Sequence, residues 1–430
     1  MTYPSWELRK PDHGSNSARN LSNQALKEGQ CRSVYFLSSL GGNRHRHAIF
    51  GVKIKGGKIL GKGREFLEPV SKLFDRSNRD VPAGYNVVAT RLNSPTELYL
   101  LFQNDEKQKP FGKHHYHSAC TFDIMTKELK SFEPPKQHKT DALLISAYDK
   151  LYHLAVSAVE VYDPQACSWK SCSSFPHYQE EDWSSSRMTG YAICYGCILV
   201  SVEPPETCER RESPLWVYDV TLDEWSEVKV PTDDDSDFHY PFTDKAVVID
   251  DTIYARSFEE TVVAFSLMRK QMVDGSMEYS VDKPRKLHGL RTCFHLDPDC
   301  YSVSDCLVHL GGFNFCLVQS IQKYFDRQRV FITTFDIIYK EGKRRIRTLD
   351  TTMREVDISC LGQFYIESGF TLECEEGNEI VSTSSMMQPT DDPRLCKLQQ
   401  VCSKRQDKEA EKKTETDEIE VEFAENNLVG

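Results

Sequence analysis

Residues 158–176, AVEVYDPQACSWKSCSSFP, are written again in looser spelling as LWVYDVTLDEWSEVKVP at 215–231. Each copy sets a Tyr-Asp pair and then a Trp seven positions after the Tyr: Tyr162 to Trp169, and Tyr218 to Trp225. A repeat restricts what a chain can become more than any single motif does. Each copy is one supersecondary unit that buries its apolar face only against its neighbours.

Two anchors extend the repeat along the chain. The first is an apolar pair, often ending in Tyr, directly after a polar turn: Val34-Tyr35, Leu98-Tyr99, Leu151-Tyr152, Ile198-Leu199, Ile253-Tyr254 and Leu307-Val308. The second members are spaced by 64, 53, 47, 55 and 54 residues. The second anchor is an aromatic residue, often followed by Asp: Phe50, Phe122-Asp123, Tyr162-Asp163, Tyr218-Asp219, Phe265 and Phe335-Asp336. Seven residues beyond four of these stand Leu129, Trp169, Trp225 and Met272, all large and apolar. Six units thus share one register, and a seventh would have to hide in the long first interval.

Within the units, runs of four to eight residues rich in Val, Ile, Tyr and Phe alternate with polar or Gly turns, the texture of short strands. AVVIDDTIYARS places two such runs astride Asp250-Asp251, a tight-hairpin signal. The expectation is an all-β domain over 31–374 with four short strands in each unit. Residues 1–30 form an N-terminal extension without a strand-like run, and the first unit lacks one strand. A surplus β-like run, GQFYIESGFTLEC at 362–374, is placed to supply it.

LYHLAVSAVEVYDPQACSW resembles a kelch repeat, whose pattern is an apolar-Tyr strand, a Gly-Gly doublet, a Tyr-Asp strand and a Trp strand. The resemblance implies a kelch-type β-propeller, here of six four-stranded blades, related in architecture to galactose oxidase and to F-box/kelch proteins. The pattern is degenerate. The doublet stands at Gly41-Gly42 and Gly311-Gly312 but is missing from units two to five, and two units keep the Trp. Thirty residues before the first strand are too few for an F-box or BTB adaptor, which leaves the link to a ubiquitin ligase open.

Composition narrows the class of function. A net charge of −12 argues against general affinity for nucleic acid, which draws on surplus Lys and Arg. No stretch approaches the roughly 18 apolar residues of a membrane-spanning helix, and no secretory leader is evident. The expectation is an intracellular protein, cytoplasmic rather than nuclear, with its 15 cysteines mostly reduced. Residues 375–430 change texture. The stretch 403–430 carries 5 basic and 9 acidic side chains with almost no core pattern, and reads as a disordered acidic tail.

Candidate chemistry is sparse. Cys194 and Cys197 have CxxC spacing, yet they flank a hairpin turn without a second CxxC, so structural thiols are the expectation. GKHHYHSAC offers His114, His115, His117 and Cys120, and strand alternation would put His115 and His117 on one face, but a polar loop entering a strand is the plainer account. PTDDDSDF lacks the Gly and distal Glu of a calcium loop. KEGKRRIRTLD, between two strand-like runs, reads as a charged hairpin turn rather than an import signal. No cofactor or metal is called for.

The functional expectation is a non-enzymatic protein-interaction module. The alternative is an enzyme with its site at the propeller mouth, with or without a metal such as the copper oxidases of this architecture use. The expected contact residues lie in the connections of units one and two, GGNRHRH and QNDEKQKPFGKHHYH: Arg44, His45, Arg46, His47, Lys107, Lys109, Lys113, His114 and His115. A basic patch on an acidic protein steers acidic partners. Tyr162, Trp169, Tyr218 and Trp225 are expected to be structural anchors. Oligomeric state is not legible.

Overall fold

The structure is a computed structural model that describes residues 31–40, 46–61, 66–73, 85–92, 94–104, 119–137, 142–176, 186–203, 215–231, 242–257, 261–291, 301–323, 327–356 and 364–372. The chain divides into Met1–Asn378 and Glu379–Gly430, and every described residue belongs to the first. The described residues are all-β, in curled sheets. No helix among them is long and apolar enough to cross a membrane.

Six antiparallel meanders of four strands follow one another. Meander one is Phe364–Thr371, Cys31–Leu40, Arg46–Lys55 and Lys58–Ile59. Meander two is Tyr85–Arg91, Glu97–Asn104, Ala119–Asp123 and Leu129–Ser131, and meander three is Leu143–Ala147, Lys150–Ala155, Ala158–Asp163 and Ser168–Cys172. Meander four is Arg187–Cys194, Cys197–Glu203, Leu215–Asp219 and Glu224–Lys229. Meander five is Phe242–Ile249, Thr252–Ser257, Val262–Phe265 and Arg285–Lys286, and meander six is Tyr301–His309, Asn314–Lys323, Arg327–Lys340 and Lys343–Val356. The first strand of each meander lies against the first strand of the next, and that of meander six lies against that of meander one. The contacts therefore close on themselves.

The surplus run near residue 364 completes meander one, as its texture suggested. Phe364–Thr371 pairs with Cys31–Leu40 through seven cross-strand partners. Other meanders also grip it: the Ile366 N–H donates to Ser304 Oγ at 2.6 Å, Ser320 Oγ donates to the Phe364 carbonyl at 2.6 Å, and Arg91 donates to the Thr371 carbonyl. Gly369 permits this closeness, because a Cβ there would sit 2.5 Å from both Cys306 Sγ and a Val308 methyl.

The hairpin between third and fourth strands explains the repeated phrase. In meanders two to four the Asp accepts hydrogen bonds from the backbone two and three residues on: Asp123 from Met125 and Thr126, Asp163 from Gln165 and Ala166, Asp219 from Thr221 and Leu222. This is the Asx turn. Four residues after each Asp the backbone turns left-handed, at Lys127, Cys167 and Asp223. The loop then returns the chain so that Phe122 faces Leu129, Tyr162 faces Trp169 and Tyr218 faces Trp225. The Tyr-Trp ring centroids lie 5.2 and 5.1 Å apart.

Each Trp also staples its meander to the preceding one. Trp169 Nε1 donates to the Glu133 carbonyl at 2.6 Å, just past the last strand of meander two, and Trp225 Nε1 donates to the Ser173 carbonyl at 3.1 Å, just past that of meander three. The turn tyrosines of the first hairpin tie their meander to the following one. The Tyr148 hydroxyl donates to the Cys197 carbonyl at 3.1 Å, and that of Tyr195 to Asp251 at 2.7 Å.

Two expected alignments need correction. Leu307-Val308 lies on the first strand of meander six, not the second as in the other units, so Gly311-Gly312 falls in the first hairpin and not at the kelch position. In meander five, Met272 is not on the fourth strand. After Phe265 the chain makes an extra hairpin, Leu267–Gln271 with Met277–Val281, which pairs in parallel with the last strand of meander four before Arg285–Lys286 completes its own sheet.

Trp169 is 2% exposed, so Trp169→Ala should lower unfolding free energy by about 3–5 kcal/mol, whereas Trp169→Phe, which loses the bond to Glu133, should cost about 1 kcal/mol. Trp225→Ala, at a half-buried site, should cost less than Trp169→Ala; urea denaturation of the three variants checks the order. A chain ending at Asn378 should fold, while one ending at Leu361, stripped of its closing strand, should aggregate on size-exclusion chromatography.

Candidate functional site

First strands of meanders one to five surround a cavity of about 360 Å³. Its wall is mixed: Leu98, Leu144 and Phe370 supply apolar surface, and Arg91, Asp244, Lys245 and Glu367 bring charge. Both faces of a first strand are packed: in meander two, Val87 joins Leu37 and Ile49 of meander one, and Val88 joins Leu144 and Leu151 of meander three. The charged groups line the cavity where the first strands approach one another.

Asp244 reaches the cavity through an irregularity. The pairing of Phe242–Ile249 with Thr252–Ser257 slips between Thr243 and Val247, and Asp244 sits in the left-handed region at φ +59°. A bulge of this kind re-aims a side chain, and Asp is among the few residues that adopt the conformation cheaply. The bulge also lets Asp244 pair in parallel with Gly190 of meander four. Gly190 is required there, since a Cβ would lie 2.6 Å from the Phe242 carbonyl oxygen and 2.9 Å from that of Asp244.

The electrostatics follow from depth. Burial pushes the Asp244 carboxyl up to about 7; the charges of Asp305 and Glu367 push the same way, while the Lys245 backbone N–H and ammonium oppose them. Asp244 keeps some accessible surface, but the cavity supplies it, and protein still excludes bulk water around the carboxyl. Burial likewise raises Glu367, against the hydrogen bond that Ser39 donates to it. Behind Asp244, Arg256 forks onto Asp305 (Nε–Oδ1 3.2 Å, Nη2–Oδ2 2.5 Å), a bidentate pair in which the Arg is 1% exposed. It ties the second strand of meander five to the first of meander six. Near neutral pH, then, the cavity presents one carboxyl able to give or take a proton beside a second carboxyl whose affinity for protons is also raised. Such a pair can serve proton transfer or hold a cationic group.

Arg44, His45, Lys107, Lys109, Lys113, His114 and His115 lie outside the described residues, as do His117 and the side chain of Arg46. His47 corrects the expected patch. It is buried on the third strand of meander one, with its ring edge-on to Phe102 at 5.8 Å, and belongs to the core. Cys194 and Cys197 face each other across the Tyr195-Gly196 turn; burial pushes the Cys194 thiol up to about 12 and raises Cys197 as well, which keeps both protonated. Lys340 to Asp350 form a turn and the start of a strand in the last hairpin of meander six. Among the described residues no group of three or more His, Cys, Asp or Glu is placed to hold a metal ion.

The sequence alone does not single out Asp244 or Glu367. The available signals were slight: a charged Asp-Lys pair interrupting an apolar strand in FTDKAVVI, and a lone acid in FYIESGFT. No protein-family model and no curated protein matches the chain.

A carboxyl raised in the folded state binds its proton more tightly there than in the unfolded chain. The stability it contributes is present below about pH 4, where an ordinary Asp titrates, and is lost as pH rises toward about 7. Asp244→Asn, which tolerates the same backbone, should therefore be more stable than the parent at pH 8, with the difference shrinking toward pH 4.5. Denaturation curves at the two pH values measure it, and equal differences at both would contradict the burial of this charge.

Proposed function

We propose that the chain is a six-bladed β-propeller of the kelch type that works as a non-enzymatic protein-binding module. The observation that carries this reading is the closed cycle of first strands around one axis, completed by a strand from the far end of the chain. The Asp-turned hairpins with their paired Tyr and Trp support the kelch likeness in particular. A ring stapled at both hairpin ends is a rigid support, and binding residues concentrate in the connections that such a support holds out. In meanders one and two, those connections carry Arg44, Arg46, Lys107, Lys109 and Lys113, a cationic set suited to an acidic partner.

A second reading has its own support. Asp244 and Glu367 at the axis suit an enzyme whose site opens at the propeller mouth, with Asp244 giving or taking a proton near neutral pH.

Affinity capture with the intact chain separates the two. The module reading expects a protein retained above an unrelated β-protein control, with recovery reduced by the double variant Arg44→Glu, Arg46→Glu at unchanged melting temperature. Recovery that ignores the double variant would move the contact face elsewhere. Turnover by the purified chain that Asp244→Asn abolishes, with a rate inflection near pH 7, would favour the enzyme instead.

A further inference from the structure

The last hairpin of meander six is long, with two strands of 14 residues each, and its tip leans on meander five. Between them lies a second pocket of about 190 Å³, whose wall includes Thr252, Ser266, Asp282, Arg285, Tyr339 and Arg344. The arginines of this hairpin are not alike. Arg345 pairs with Glu341 at 3.3 Å and Arg347 forks onto Asp336, so both charges are answered within the hairpin.

Arg344 is held differently. Its Nε donates to the Tyr339 hydroxyl at 2.6 Å and its Nη1 to Thr252 Oγ1 at 2.8 Å. Its guanidinium carbon lies 5.8 Å from the ring centroid of Tyr254 and 5.5 Å from that of Tyr339. Two hydroxyls and two rings thus fix the plane of the guanidinium, yet no carboxylate among the described residues pairs with it. Arg285, exposed in the same wall on the fourth strand of meander five, has no acidic partner among the described residues either. A guanidinium already oriented and still without its anion gives up little freedom when it binds one.

We propose that this pocket receives a single carboxylate, the side chain of an Asp or Glu in an acidic peptide segment of a partner, through Arg344 and Arg285. The charge balance selects the ligand. Two guanidiniums face one carboxylate, Asp282, whose Oδ1 already accepts the Ser266 N–H at 2.5 Å. The lining thus carries a surplus of one positive charge, which a single carboxylate balances and a phosphate dianion would exceed. A peptide, unlike a free acid, can also cover Tyr339, which is 46% exposed beside the pocket, and Tyr and Arg together are the usual anchors of protein contacts. The inference rests on the module reading and goes beyond it, adding a second contact and naming the chemistry of what it takes. It sets the contact at the opposite end of the strands from the connection that follows Leu40, because third-to-fourth and second-to-third turns lie at opposite ends of a meander.

The probe is a fluorescein-labelled peptide of alternating Glu and Ser, compared by anisotropy with its Gln counterpart and with a version carrying phosphoserine in place of one Glu. The Glu peptide should bind the full chain about tenfold more tightly than the Gln peptide, and Arg344→Lys and Arg285→Gln should each weaken it about tenfold, the scale of losing one charge-assisted fork. Affinity should also fall with added salt. Should Arg344→Lys melt below the parent, Arg285→Gln on its exposed short strand decides alone. Equal affinity for Glu and Gln peptides, parent-like binding by Arg285→Gln, or tighter binding of the phosphopeptide would each overturn the assignment. Such a failure with partner capture intact removes the pocket and leaves the module, whereas loss of capture with the peptide result intact does the reverse.

Discussion

Everything in this fold depends on the pairing of two strands that stand more than 300 residues apart in the chain, Cys31–Leu40 and Phe364–Thr371. Unpaired, Cys31–Leu40 would offer ten residues of open backbone along one side, a template for any other strand. Paired, it has Phe364–Thr371 on one side and Arg46–Lys55 on the other. The closing strand is fastened by more than its ladder. Ser304 and Ser320 of meander six and Arg91 of meander two also hold it, so three meanders meet on one short segment. Glu367 and the Gly369 approach to Cys306 belong to the same strand, which makes closure and the cavity one piece of construction.

The parts of the fold that could be read in the sequence are those set by local chemistry. An Asp that turns the chain by binding its own backbone, and a left-handed residue four places on, fix the facing of Tyr162 with Trp169 and of Tyr218 with Trp225. Spacing alone reveals such a hairpin. The missing strand of meander one was legible by the same logic, from a strand-like run with no place of its own.

Register failed where that local device is absent. In meander six the third strand runs straight through Phe335-Asp336, and Asp336 pairs with Arg347 instead of capping a turn. In meander five the extra hairpin has the same short-run texture as a strand of the sheet, so Met272 looked like an anchor. The candidate site was hidden for a deeper reason. The proton affinity of Asp244 comes from a bulge and from the protein around it, and the free hand of Arg344 from the pairing of Arg345 and Arg347 to other acids. Neither is a property of spacing along the chain.

Closure by Phe364–Thr371 also has a consequence for synthesis. A ribosome that has just released Cys31–Leu40 must add more than 300 further residues before the partner of that strand exists, roughly 15–65 s at about 5–20 residues per second. Throughout that interval meanders two to six are being made one after another, each able to pack on its predecessor, while the oldest strand waits. The growing chain therefore carries its most adhesive edge for the longest time. A cell that makes this protein has reason to shield its beginning until its end arrives.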